Sequence, residues 1–155
     1  MWELRHYREG ELIHQEKFTN VVVDGGLDDI LDKYYKGSAY TATFYVGLTD
    51  DSPTVAATDT MASHAGWAES TVYSGNRATL TLGTVASQSV DNAAAVASFS
   101  ITDTDTVGGA FIATDSTKGG TTPTLIAVAA FSGGDRDVIN TDVLEVTTTL
   151  TSASA

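Results

Sequence analysis

Three histidines, at positions 6, 14 and 64, are the first candidates for chemistry in this sequence. His64 lies in the string ASHAGW, directly after Ser63 and five residues after Asp59. A nucleophilic triad needs serine, histidine and an acid that converge on a rigid site, and neighbours in sequence do not supply that geometry. We therefore expect His64 to hydrogen-bond its loop to itself or to a subunit, and we expect no catalytic residue.

Acidic pairs at three places raise the question of calcium, which binds six to eight oxygen atoms, often from several loops. The pairs are Asp50–Asp51, Asp103/Asp105 and Asp135/Asp137. None follows the EF-hand spacing, so hydrogen bonds from Asp side chains to nearby turns are the simpler interpretation. Because the chain has no cysteine, a zinc–thiolate site and a disulfide are excluded. We expect neither a metal nor a cofactor.

Three glycine pairs interrupt the second half of the chain. They are Gly108-Gly109, Gly119-Gly120 and Gly133-Gly134. None is followed by the Lys-Ser/Thr of a phosphate-binding loop, so we interpret them as turn residues. The first pair lies inside the apolar run VGGAFIA, which indicates a bulge or a close approach of two backbones.

Charge and length narrow the class of partner. The chain has 155 residues and a formal net charge of −12, and residues 41–155 alone contain twelve acids and three bases, giving −9. A segment with this negative charge repels phosphate backbones, so we expect no nucleic-acid partner. The N-terminus lacks the apolar core of a signal peptide, and the apolar run Leu125–Phe131 is far shorter than the roughly 20 residues of a membrane helix. We expect no membrane partner.

The elements that position these residues follow from periodicity. The string DGGLDDILDKYYKG, residues 24–37, predicts a helix at about 26–36 that Gly37 ends. Its apolar residues share the spacing of one helical face: Leu27, Ile30, Leu31 and Tyr34. We expect this face to pack on the body, as a lid over the open end of a barrel or sandwich.

Residues 1–23 predict an N-terminal β arm. Trp2–Phe18 alternates weakly between apolar and polar, and Glu9-Gly10 can turn it into a hairpin. Two strands alone are marginal in water. The hairpin is therefore either an arm that leans on the body or on a partner, or an edge hairpin of the same domain.

Residues 24–155 predict one mainly β domain. Strands recur between turns of Gly, Asn and Asp, which favours a β-sandwich, a jelly-roll-like or a barrel-like antiparallel fold. Residues 50–76 form a long loop, where Gly66 lets the backbone pass close before Trp67. The predicted strands are 41–48, 77–85, 93–101, 107–113, 124–131 and 143–150.

Several strings resemble a family of virion structural proteins of tailed bacteriophages. They are YVGLTDD, AATDTMASHAGWAES, VYSGNRATL, FTNVVVDGGLDDILDKYY, GAFIATDSTKGGTTPTLIAVAAFS and DVLEVTTTL. Together they cover nearly the whole chain, and the DTMASHAGW string is specific. The likeness points to capsid cement or decoration proteins, which are small β domains that bind the outside of the head shell.

The resemblance implies a structural role without catalysis. The expected partners are the major capsid protein and further copies of this chain, as a dimer or trimer on the shell. The expected location is the outer surface of the capsid, after synthesis in the host cytoplasm. We expect capsid or subunit contacts from Trp2, Leu4, Tyr7, Leu12 and Phe18. We expect the docked form of the long loop to depend on Met61, His64, Trp67 and Tyr73.

Two alternatives stay open. One is a tail, baseplate or fibre component of the same virion. The other is a carbohydrate-binding β-sandwich, which needs an exposed aromatic platform, with Trp67 as its candidate residue.

Overall fold

The computed structural model describes residues 1–40 and 43–152. It confirms a mainly β fold with antiparallel sheets and a single short α-helix, and the described strands do not close into a barrel. The helix α1 spans Asp24–Ile30 and continues as a π-helical turn, Leu31–Tyr35. The strands are β1 (Trp2–Arg8), β2 (Glu11–Phe18), β3 (Val21–Val22), β4 (Phe44–Thr49), β5 (Ala78–Leu80), β6 (Ser89–Asp91), β7 (Ala97–Ser100), β8 (Asp105–Val107), β9 (Gly109–Ala113), β10 (Leu125–Ala130), β11 (Arg136–Val138) and β12 (Val143–Thr151).

Two five-stranded sheets form the body. The first has the order β2-β1-β12-β6, with β7 also paired to β12, and the second has the order β3-β10-β9-β4-β5. The short pair β11-β8 stands apart from both. The main core lies where the two sheets face each other, with Leu4 and Val146 from the first and Val46 and Ile112 from the second. This is a sandwich-like arrangement.

The second sheet is covered on both faces. Its outer face packs against the long loop, through a smaller core that joins Met61 and Trp67 of the loop to Phe111 of β9 and Val128 of β10. All five residues of β9 are buried. A strand covered on both faces is apolar at consecutive positions, which explains why β9 reads as a continuous apolar run.

Gly66 and Gly108 confirm the predicted close backbone approaches. A Cβ atom on Gly66 would lie 2.1 Å from the carbonyl oxygen of Thr54. A Cβ atom on Gly108 would lie 1.9 Å from the amide nitrogen of Ser52. Both glycines therefore let the long loop lie directly on neighbouring backbone, and Gly108 separates β8 from β9.

The N-terminal hairpin is paired into the first sheet with β2 at its edge, which is the arrangement of the edge-hairpin alternative. β1 pairs with β12 along its length, from Trp2 opposite Thr148 to Tyr7 opposite Val143. The expectation that Trp2, Leu4 and Phe18 contact a partner is corrected, because all three side chains are buried inside this chain. The ring of Phe18 packs edge-on against Trp2 and against Phe131 of the body.

The predicted lid needs a second correction. The helix exists and Gly37 ends it with a positive φ of 74°, but the side chains of its apolar stripe stay exposed by 49% to 80%. α1 contacts β10 through Gly26, where a Cβ atom would lie 2.4 Å from the carbonyl oxygen of Ile126. The backbone at this glycine therefore makes the closest contact of the helix with the body.

The predicted strand bounds are right for the core strands β10 and β12, but the strand predicted at 77–85 is too long. β10 and β12 lie within one residue of the predicted ends, whereas the run 77–85 contains only the three-residue β5. β6 and β11, of three residues each, were not predicted. Of the strand predicted at 41–48, residues 41 and 42 lie outside the described part of the chain.

The buried hairpin makes a matched pair of variants informative. We expect Leu4→Ala to lower the free energy of unfolding by about 2–5 kcal/mol, because it leaves a cavity in the main core. Leu12→Ala, the same change on the exposed side of the hairpin, should change it by less than about 0.5 kcal/mol. Urea unfolding measures both, and equal small effects would show that the hairpin is a detachable arm.

Candidate functional site

His64 holds the long loop to itself, as predicted. Its Nδ1 atom donates a hydrogen bond to the carbonyl oxygen of Trp67 at 2.8 Å, and the two rings stack with centroids 4.0 Å apart. The indole Nε1 of Trp67 donates to Asp59 Oδ2 at 3.1 Å. Because Trp67 is buried against Phe111, it does not provide the exposed platform that the carbohydrate-binding alternative assigned to it.

Carboxylates from all three acidic pairs accept hydrogen bonds within the chain. Asp103 and Asp105 each accept a bond from the next backbone amide, and Asp50 accepts bonds from the amides of Asp51 and Ala68. Asp103 and Asp105 thus show the predicted turn chemistry, whereas Asp135 accepts bonds from the amide and the hydroxyl of Ser52, 83 positions away in the sequence. Within residues 1–40 and 43–152, no three His, Asp or Glu side chains converge in a way that could hold a metal ion.

A buried ion pair that sequence reasoning missed fixes the end of the long loop. The Arg77 guanidinium binds both carboxylate oxygens of Glu69, at 2.8 and 2.7 Å. It also donates to the carbonyl oxygens of Asp115 and Gly120, at 3.0 and 3.1 Å. One side chain thereby joins the loop to the turn between β9 and β10, with a bidentate geometry suited to arginine.

Lys118 and Tyr73 extend this cluster. The Lys118 ammonium lies 4.2 Å from the ring centroid of Tyr73, whose ring packs edge-on against Phe99 of the main core. Burial raises the pKa of the Tyr73 hydroxyl above its ordinary range. Arg77 and Lys118 are two of only three bases in residues 41–155, and that scarcity was the signal that could have marked them.

A second buried cluster joins the two ends of the chain. Asp142, just before β12, accepts hydrogen bonds from His6 Nε2 at 2.7 Å and from Arg8 Nε at 2.9 Å. The backbone amide of Ile139 donates to the same carboxylate. The side chains of His6 and Asp142 are almost completely buried, so this cluster is structural rather than accessible to a substrate.

Opposing effects set the pKa values in this cluster. Burial lowers the pKa of His6 below its ordinary value, and the Asp142 carboxylate only partly offsets that effect. Burial alone would raise the pKa of Asp142, but the hydrogen bonds from Arg8 and His6 hold it well below its usual range. At neutral pH the cluster therefore contains a neutral histidine, a carboxylate and a guanidinium.

The expected interface residues divide into two groups. Met61, Trp67 and Tyr73 are buried and hold the loop against the body of this chain. Tyr7 is half-buried and Leu12 is exposed, so among the hairpin residues expected to touch a partner these two remain available.

The hairpin tip, residues 7–13, has a specific geometry. Glu9 and Gly10 both have positive φ, 53° and 83°, as a two-residue hairpin turn of type I′ requires. His14 of β2 pairs with His6 of β1, and Leu12 pairs with Tyr7, so Ile13 has no residue opposite it and forms a bulge. This bulge leaves Leu12 and Ile13, adjacent in sequence, each 48% exposed; bulges re-aim side chains in this way.

The second exposed apolar surface is the helical face, which we define as Leu27, Ile30, Leu31, Tyr34 and Tyr35. The exposed fractions of these side chains run from 49% to 80%. Ile30 also lines an apolar cleft of about 350 Å³ between the two sheets, together with Phe44 and Leu150. The predicted lid thus leaves this end of the sandwich open.

No protein-family model matches this sequence, and a search of curated proteins finds no significantly similar chain. None of the described helical segments has the length and apolar content needed to cross a lipid bilayer.

The His6 cluster predicts an acid-sensitive fold. Because the folded-state pKa of His6 lies below its ordinary value of 6.5, the unfolded chain binds more protons as the pH falls through that value, and the free energy of unfolding decreases there. His6→Gln retains a donor to Asp142 but does not titrate, so the slope of unfolding free energy against pH should flatten. His6→Phe removes the donor too and should be less stable throughout. A parental slope in His6→Gln would contradict this role of His6.

The close approach at Gly66 gives a second prediction. Gly66→Ala should lower the free energy of unfolding by about 1–3 kcal/mol, because the new methyl group overlaps the Thr54 carbonyl. Gly83→Ala is the control, since a Cβ atom there meets its nearest neighbour at an ordinary 3.4 Å. Equal unfolding midpoints for the two variants in urea would show that the loop does not hold this backbone contact.

Proposed function

We propose that this chain is a structural protein of the tailed-phage virion, which decorates the outer surface of the head shell and strengthens contacts between capsomers. The sequence strings that resemble this family support the proposal. The DTMASHAGW string lies in the long loop, where Met61 and Trp67 reach the smaller core. These residues would preserve the fold that presents the contact surfaces.

The observation that carries the contact proposal is the hairpin tip. Leu12 and Ile13 lie on β2, an edge strand of the first sheet. Exposing this apolar pair to water is unfavourable unless a partner covers it. The other end of β2 is already engaged, because Ser132 and Gly133 hydrogen-bond to Lys17 and Glu16. The free end of the edge therefore carries the apolar pair, which the major capsid protein would cover by strand addition or by side-chain contact.

A rigid hairpin suits this role. β1 connects the hairpin tip to the core through its pairing with β12, so ordering the tip on the shell costs little conformational entropy. Many copies on a symmetric shell would then add weak contacts into a stable layer. The net charge of −12 disfavours association with packaged DNA.

The test is binding to heads. Leu12→Asp combined with Ile13→Asp should weaken binding to heads that lack the protein by at least about tenfold. The variant loses the burial of two apolar side chains in the contact and places two carboxylates there instead. Val85→Asp is the matched control, because Val85 is also exposed but lies outside the tip. Co-sedimentation with heads measures the affinity of all three proteins.

Two results would count against the proposal in different ways. Undiminished binding of the double variant would remove the hairpin tip from the contact. Electron microscopy of labelled virions that placed the protein on the tail, or nowhere on the particle, would overturn the decoration role itself.

A further inference from the structure

Among the described residues, the helical face is the densest group of exposed apolar side chains. Thirteen large apolar side chains are exposed in the described part of the chain, and five of them lie on residues 27–35. Single exposed apolar residues are normal, whereas a contiguous group marks an interaction surface. The change from α-helix to a π-helical turn at Leu31 is a second feature that is frequent at functional sites.

The charges beside this face are arranged in order along the segment. Asp24, Asp28 and Asp29 lie in its first half, and Lys33 and Lys36 lie in its second half and just beyond it. Asp32 pairs with Lys36 at 2.9 Å, so these two charges offset each other and the second half keeps a net charge of only +1, against −3 for the first half. A partner that complements this order presents bases beside the first half and acids beside the second. An antiparallel copy of the same segment has that order.

We propose that the helical face binds a second copy of this chain, with the two helical segments antiparallel across a two-fold axis near Leu31. Leu27 of one copy then lies opposite Tyr35 of the second copy, and the acidic half of each segment lies beside the basic half of the other. The same patch serves on both copies, as a two-fold interface requires.

The tyrosines of the helical face supply a large share of the area that such a pair needs. Four buried tyrosine side chains, two from each copy, remove on the order of 600 Å² from water. That is more than half of the roughly 1,000 Å² that a specific interface needs. Leu27, Ile30 and Leu31 add to it, and the apolar surface continues from Ile30 into the cleft between the sheets.

This pairing is separate from the virion proposal. It uses the helical face rather than the hairpin tip, and it is tested with the purified chain alone. A failure to bind heads leaves it standing, and a failure to pair leaves the head-binding proposal standing.

Sedimentation equilibrium on the full chain gives the first test. The parent chain should form a dimer, and Leu31→Asp combined with Tyr34→Asp should raise the dimer dissociation constant at least tenfold. Both side chains are exposed, so the variant should fold, which its circular dichroism and unfolding midpoint check. Val85→Asp should dimerise like the parent. A parent chain that stays monomeric, or a double variant that dimerises normally, would overturn the proposal.

Engineered cysteines test the antiparallel register, since the chain has no cysteine of its own. Leu31→Cys should form a disulfide with its own copy. Leu27→Cys should fail to do so, because two residues 27 lie eight positions apart along the pair, about 12 Å by the helical rise, beyond the reach of a disulfide. Mixing Leu27→Cys with Tyr35→Cys should give the crosslinked heterodimer. Crosslinking of Leu27→Cys to itself would contradict the register.

Charge reversal gives an independent readout. Asp28→Lys/Asp29→Lys and Lys33→Glu/Lys36→Glu should each dimerise at least tenfold more weakly than the parent, because like charges then face each other. An equimolar mixture of the two variants should recover a one-to-one dimer. If the mixture stays monomeric, or if the wild-type helical face proves to bind heads while the chain remains monomeric, the second copy is not the occupant.

Discussion

Pairing of the first strand with the last strand is the interaction on which the rest of this structure depends. Residues separated by about 140 positions lie side by side in β1 and β12, and closing so long a loop costs conformational entropy before any contact repays it. Leu4 and Val146 lie opposite each other, and their burial in the main core offsets this entropy cost. The bonds from His6 and Arg8 to Asp142 fix the same two ends with charge-assisted geometry.

The other surfaces follow from this pairing. Because the hairpin is part of the first sheet, its tip is presented on a rigid support, and the bulge at Ile13 leaves two apolar side chains outside. The long loop covers the outer face of the second sheet. The backbone of β10 in this sheet packs against Gly26 of the helix. The helix is therefore attached by its first turn, and its apolar face stays free for another molecule.

Sequence alone was enough for the class of fold and for the central strands, because β9 and β10 are apolar on both faces and are bounded by glycine turns. It also predicted the roles of Gly66 and Gly108. The side of the helix that packs was not predictable, since periodicity defines a stripe but does not reveal that a glycine makes closer contact with a strand. The Arg77–Glu69 pair was missed because its partners come from a loop and a turn without periodic spacing.

Hydrogen exchange of the backbone amides of β1 tests the central claim most directly. If the paired chain ends are the foundation of the fold, the inner amides of β1 and β12 will exchange only through global unfolding, with the same free energy of opening and the same dependence on denaturant. If instead β1 opens at a much lower free energy while β12 and β9 stay protected, the hairpin is a separate arm, and the pairing of the chain ends does not hold the fold together.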